Sequence, residues 1–259
     1  MTSRNILSTV IKDLFKQQFK WTMAFIGIML LISTINIGQA IIQNKSVDDY
    51  YSVSLIAGDI YMFVIGILCI FFLKYFVEHG ITRRNYFKGA LVVATSLAVF
   101  IPIITLIIYK LQMLIASSFV SFKDSQINEV VTDIDNTTSI FDDIIVALVT
   151  APHVDPDKQT LLALAVFSIN LLFYYLAGWL IGAAFQYPVI VSLGITALVA
   201  GIIVLQDALI RIFLEIPVLP RFDFMLSTTK PIALVIIFAI IVALALAIKQ
   251  LTKKTIVNM

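Results

Sequence analysis

The chain has 259 residues, of which 60% are hydrophobic and only 13% are charged, whereas a soluble domain carries about 25% charged residues. The mean hydropathy of +1.01 agrees, so the composition indicates a protein that lies mostly in a lipid bilayer. Apolar spans then use most of the length, which excludes a fused ATPase or kinase domain. The single cysteine, Cys69, excludes an internal disulfide framework and a cysteine-based zinc site.

Gaps between charged residues predict the spans, because about 20 apolar residues are needed to cross the hydrocarbon core. The longest gap, between Lys158 and Asp207, holds two helices that turn back at Gln186–Pro188, where proline ends a helix. The predicted spans are Trp21–Ile42, Ser54–Leu73, Gly89–Tyr109, Leu161–Phe185, Val189–Leu205 and Pro231–Ile248. The expected fold is an all-α polytopic membrane protein with six transmembrane helices, forming one domain over residues 1–259.

The distribution of cationic residues predicts the orientation. Eleven of the 18 Lys and Arg residues fall in residues 1–20, 74–88 and 249–259, which six spans place on one side of the membrane. Because Lys and Arg are enriched in cytoplasmic segments, both termini are expected in the cytoplasm.

Residues 1–20 contain apolar side chains at helical spacing from Ile6 to Phe19, with Lys and other polar residues between them. This pattern predicts an amphipathic helix that lies at the inner surface of the membrane. Such a helix anchors the first span, and contact with a cytoplasmic partner is compatible with that role.

Residues 74–88 form the only predicted cytoplasmic connection long enough to present a surface. Gly80 allows a break, and Thr82 is a suitable cap for a helix beginning at Arg83. One interpretation is that the arginines only set the topology and contact lipid phosphates. The other is that the segment docks on a cytoplasmic protein, with a surface made of Glu78, His79, Gly80, Thr82, Arg83, Arg84, Tyr86 and Phe87.

Residues 111–159 are predicted to form an external insertion with an excess of Asp and Glu. A solvated acidic surface is one interpretation, and attraction of a cationic or amphipathic cargo is the other. The insertion would pack against a second copy or cover the mouth of a pathway, because it also contains apolar clusters.

Residues 206–230 are apolar but interrupted by Pro217 and Pro220. They predict a re-entrant hairpin of two half-helices before the last span, which is tolerated only where protein covers the backbone. Arg211 and Glu215 are four residues apart, so they are expected to pair on one helical face.

Apart from Asp59, near one end of the second span, the predicted spans contain no ionisable residue, which argues against an ion-coupled mechanism. The P-loop, HExxH and GxSxG motifs are absent as well, so the chain is not expected to be an enzyme or to bind a metal or nucleotide itself. Small residues four apart predict close helix packing in the fourth and fifth spans. These pairs are Gly178 with Gly182 and Ala197 with Gly201.

The topology and one local motif resemble the permeases of type-2 ATP-binding-cassette (ABC) exporters. The motif is Glu78–Phe87, EHGITRRNYF, which is similar to the pattern G-[VI]-[ST]-R-x-x-[FY]-F of small permeases from Gram-positive bacteria. The external insertion 111–159 departs from this family, in which that connection is short, so the resemblance does not carry over a substrate.

The resemblance implies the permease of an ATP-driven exporter in a bacterial cell membrane. The acidic external insertion and the apolar spans favour an amphipathic substrate, such as a cytolytic or antimicrobial peptide. Residues 78–88 would then be the coupling helix, which sits in a cleft of a separate ATPase subunit that binds ATP and Mg²⁺. A second copy or a homologous permease would complete the transporter, and no nucleic acid is involved. The alternative is a sensor or immunity subunit that binds toxic peptides without moving them.

Overall fold

The structure, a computed structural model, describes residues 3–123, 152, 154–218, 220–225 and 228–254. Six long helices dominate it: α1 Ser3–Gln43, α2 Tyr50–Glu78, α3 Arg83–Ala116, α4 Thr160–Ala184, α5 Val189–Leu214 and α6 Lys230–Lys254. Each contains a stretch long and apolar enough to cross a membrane, which confirms the six predicted spans. The expected insertion 111–159 lies mostly outside the described residues.

The six helices form a bundle with α4 at its centre. This helix packs against α2, α3, α5 and α6, and it has the largest buried share of the six. α1 lies at the periphery against α3 and α2.

The helices alternate in direction, so α1 begins and α6 ends at the same end of the bundle, which we call the proximal end. Two short parallel strands, β1 Val47–Asp48 and β2 Phe122–Lys123, pair at the opposite, distal end. This arrangement agrees with an even number of spans. Which end faces the cytoplasm remains a prediction.

The separate amphipathic helix expected in residues 1–20 is not observed. Residues 3–43 form one continuous helix, because neither proline nor glycine interrupts the chain before Trp21. Val10 and Leu14 are buried in the core of the bundle, and Val10 lies directly over Gly89 of α3. The amphipathic pattern is therefore explained by packing on neighbouring helices, and a location at the membrane surface remains a prediction.

α2 and α4 make the closest helix contact in the bundle. A Cβ atom on Gly178 would lie 2.0 Å from the carbonyl oxygen of Phe63, and one on Gly182 would lie 2.5 Å from that of Ile67. Gly66 of α2 is equally tight against the backbone of Tyr175. Glycines on both helices thus allow backbone contact over two turns, as small residues do in membrane bundles.

The second small-residue pair behaves differently. Ala197 and Gly201 are exposed on α5, and a Cβ atom on Gly201 would meet no described atom within 4 Å. The pair therefore packs on no helix of the described chain.

This difference yields a matched pair of substitutions. Gly178→Ala should destabilise the bundle by at least about 1–3 kcal/mol, because the added methyl group forces α2 and α4 apart. Gly201→Ala should be neutral or stabilising by up to about 1 kcal/mol, since alanine favours the helix. The thermal midpoints of both variants in detergent test this, and equal midpoints would contradict the assigned contact.

Candidate functional site

The connection between α2 and α3 at the proximal end is shorter than the sequence suggested. α2 ends at Glu78, Gly80 has a positive φ of 78°, and α3 begins at Arg83. The side chain of Thr82 accepts a hydrogen bond from the backbone N–H of Asn85 at 3.3 Å, which confirms the predicted cap. Only residues 79–82 lie outside helices, so residues 74–88 are mostly the ends of α2 and α3.

Three side chains of the predicted docking surface make contacts within the bundle, and their role in docking stays a prediction. The Tyr86 hydroxyl is buried and donates to the carbonyl oxygen of Cys69 at 2.5 Å. The ring of Phe87 packs against Trp179 of α4 at 5.5 Å. Arg83 donates to the carbonyl oxygen of Lys253 at 2.7 Å, and so caps the end of α6.

The exposed part of this connection is correspondingly small. Glu78, His79, Gly80, Thr82 and Arg84 are exposed. His79 is held in place by its ring contact with Tyr75, at 4.3 Å between centroids, and by a hydrogen bond between Nδ1 and the Tyr75 carbonyl oxygen. The connection therefore has a charged, exposed tip made of Glu78, His79 and Arg84. The tip is supported by Tyr86, Phe87 and Arg83, which contact α2, α4 and α6.

The segment before α6 also differs from the expected pair of half-helices. α5 continues nine residues beyond Leu205, to Leu214, and ends where Glu215 adopts a positive φ of 59°. Pro220–Met225 form a short 3₁₀ helix, and Pro217 lies in the irregular stretch before it. The first half of the predicted hairpin is therefore the last part of the fifth span.

The predicted pairing of Arg211 with Glu215 is wrong. The Arg211 Nε atom donates to Asp207 Oδ2 at 2.7 Å, while Glu215 pairs with Lys230 at 2.9 Å. Helix geometry explains the choice, because Asp207 lies one full turn earlier within α5, whereas Glu215 has already left the helical conformation.

A cluster of buried polar residues joins α2, α4 and α5. Asp59 is fully buried and accepts a hydrogen bond from Asn170 Nδ2 at 2.6 Å. Asp207 lies close enough to Asp59 for direct electrostatic repulsion. Asp207 and Arg211 are 4% and 1% exposed, so the ion pair is shielded from water. We call Asp59, Asn170, Asp207 and Arg211 the buried ionic cluster.

The cluster lies within the long helices, away from their distal ends. Asp59 is nine residues after the distal start of α2 and Asp207 is seven residues before the distal end of α5, which places them about 10–14 Å below those helix ends. Asn170 is ten residues into α4, at a matching level. The helices that could span the membrane therefore contain buried ionisable residues, which weakens the argument against an ion-coupled mechanism.

Sequence reasoning missed this cluster for a simple reason. Charged residues served as the boundaries of the spans, so Asp207 marked the end of the fifth span and Asp59 counted as a residue near the end of the second. The four-residue spacing of Asp207 and Arg211 was a usable signal, because a pair at that spacing neutralises itself and can enter a membrane helix.

A cleft of about 360 Å³ opens at the distal end of the bundle, and no residue of the buried ionic cluster lines it. It is lined by residues of α4, α5 and α6 and by the segment before α4, including Leu162, Phe213, Glu215 and Lys230. Lys110 and Tyr109 hold Asp157 nearby, and the hydrogen bond from Lys110 is the main reason that the pKa of this carboxyl group is lowered. The cleft thus has a charged rim above the apolar end of α5.

Comparison of the chain with known protein families, characterised proteins and solved structures finds no match.

The buried ion pair can be tested by a mutant cycle. Arg211→Met should lower the free energy of unfolding by about 3–5 kcal/mol, because it leaves the Asp207 carboxylate buried without its partner. The double variant Asp207→Leu/Arg211→Met should recover most of this loss. Lys230→Met, which breaks an exposed ion pair, is the control and should change stability by about 0–1 kcal/mol. Unfolding in denaturant measures all three, and a double variant as unstable as Arg211→Met would contradict the assignment.

Proposed function

We propose that the chain is the permease subunit of an ATP-driven type-2 ABC exporter in a bacterial cell membrane. It would work with a separate ATPase subunit that binds ATP and Mg²⁺, and with a second copy or a homologous permease. The cargo would be an amphipathic molecule such as a cytolytic or antimicrobial peptide. In this proposal the proximal end faces the cytoplasm.

The observation that carries the proposal is the construction of the α2–α3 connection. An exporter that lacks its own nucleotide site must receive movement from a partner through a rigid element. Here the exposed tip, with Glu78, His79 and Arg84, stands on a base in which Arg83 contacts α6 and Tyr86 contacts α2. Force applied to the tip would therefore reach several spans together.

The buried ionic cluster favours a second candidate, an ion-coupled transporter. Ionisable groups buried in spans commonly mark ion or substrate pathways. In that case the chain would transport without an ATPase partner, and the proximal tip would only contact lipid and water.

Charge reversal at the tip tests the first candidate. Arg84→Glu should reduce the ATP hydrolysis that co-purifies with the tagged chain from its native membranes at least several-fold, because it would repel the partner from the exposed tip. Lys45→Glu makes the same charge change at an exposed position of the distal end and should leave that activity unchanged.

The two arginines of the motif have different environments, because Arg83 contacts α6 whereas Arg84 is exposed. Arg83→Gln should lower the thermal midpoint, because Arg83 caps α6, whereas Arg84→Glu should leave it unchanged. ATP hydrolysis that is absent from the wild-type preparation, or unaffected by Arg84→Glu, would contradict the exporter proposal and favour the ion-coupled one.

A further inference from the structure

The charges of the buried ionic cluster do not balance. Two carboxylates, Asp59 and Asp207, face one guanidinium, Arg211, and none of the three is more than 4% exposed. With all three ionised, the cluster would carry a net charge of −1 within the long helices. Burying an uncompensated charge in a medium of low polarity is strongly unfavourable, so such groups are neutralised or paired.

The hydrogen bonds show which carboxylate lacks a counter-charge. Asp207 Oδ2 receives the Arg211 Nε–H, whereas Asp59 Oδ2 receives only the neutral amide of Asn170. The other oxygen of each carboxylate, Oδ1, is buried and has no hydrogen-bond partner among the described residues. Asp59 is therefore the group that needs a positive ligand, and its Oδ1 atom is the uncommitted position.

Among the described residues, the neighbours of Asp59 supply no further positive charge. From α4 it faces Asn170 and Tyr174, and from α5 it faces Asp207, with Arg211 one turn beyond. Arg211 also donates to the Pro217 carbonyl oxygen at 3.4 Å, so its guanidinium is shared between the cluster and the distal connection.

We propose that the buried ionic cluster is a proton-binding site, in which one proton occupies Asp59 while Asp207 stays ionised and paired with Arg211. One proton makes the cluster neutral. A divalent metal ion would leave it with a net positive charge, and Ca²⁺ or Mg²⁺ would need six or more oxygen ligands. In the described part of the chain, no group of three His, Cys, Asp or Glu residues could hold a metal ion.

The distal cleft gives the proton a short route. Leu162 and Phe213 line the cleft, and they lie on the same helices as Asn170 and Asp207, about two turns nearer the distal end. Arg211 lies between the cleft and Asp207 on α5 and reaches the distal connection at Pro217. The site would therefore exchange its proton with the distal side of the membrane.

Infrared spectroscopy tests the proposal directly, and the test does not depend on an ATPase partner or on transport. Protein whose aspartates carry ¹³C in the carboxyl group is purified in a detergent that has no ester carbonyl. At neutral pH its spectrum should contain the carbonyl band of one protonated, isotope-shifted carboxyl group per chain, because ionised aspartates do not absorb there. Absence of this band in the wild-type protein would overturn the proposal.

Three variants assign the band. Asp59→Asn should abolish it, and Asp59→Glu should remove its isotope shift, since glutamate is unlabelled. Asp48→Asn, at an exposed position of β1, should leave the band unchanged. A labelled band that survives both substitutions at Asp59 would overturn the assignment, and the wild-type spectrum decides the proposal even where a variant fails to fold.

The same preparation distinguishes a proton from a monovalent metal ion. Replacing choline chloride by sodium chloride at constant pH should not change the wild-type thermal midpoint. A midpoint that rises with sodium, in a protein without the protonated carboxyl band, would show that a metal ion and not a proton balances the cluster.

Discussion

The bundle depends on the contact between α2 and α4. Apolar side chains gain little by leaving lipid for protein, so helices in a membrane associate through close packing and polar contacts. Gly66, Gly178 and Gly182 bring the two backbones together, and this contact sets the register of everything else on the two helices. In that register Asn170 reaches Asp59, and the Tyr175 hydroxyl lies 2.8 Å from the Cys69 sulfur.

The second polar contact ties a further helix to the same pair. Gln18 of α1 donates to the Tyr175 hydroxyl at 3.0 Å, so α1, α2 and α4 share one buried polar network. The ionic cluster does the same for α2, α4 and α5. Both networks lie where water cannot replace a lost partner, which makes them costly to break. The two polar networks therefore both include α2 and α4, and each lies nearer to a different end of the bundle.

The two candidate sites differ in their exposure to solvent. The exposed α2–α3 tip suits contact with a partner, because its base is fixed to the bundle. The ionic cluster suits proton binding, because it is shielded from water. A transporter that changes conformation would move both, since Tyr86 contacts α2 at Cys69 and Asp59 lies on the same helix nearer its distal end. The proposed proton site and the proposed ATPase contact are therefore compatible, but each is supported by its own geometry.

Much of the architecture follows from local sequence. The number of spans was predictable because an uninterrupted apolar stretch of about 20 residues has few alternatives to a membrane helix. The Thr82 cap and the break at Gly80 were predictable because both depend on neighbouring residues only. The continuity of α1 was missed because its amphipathic pattern fits a membrane surface and a groove between helices equally well.

The remaining features depend on contacts that are distant in sequence. Arg211 has an acidic residue four positions away on either side, and only the helix end at Glu215 selects Asp207. The small pairs Gly178–Gly182 and Ala197–Gly201 have the same spacing, yet only the first meets another helix. The sequence by itself determined six helices and their order, because length and polarity act locally. The tertiary structure alone decided which charges are buried together, because that depends on the register between α2, α4 and α5.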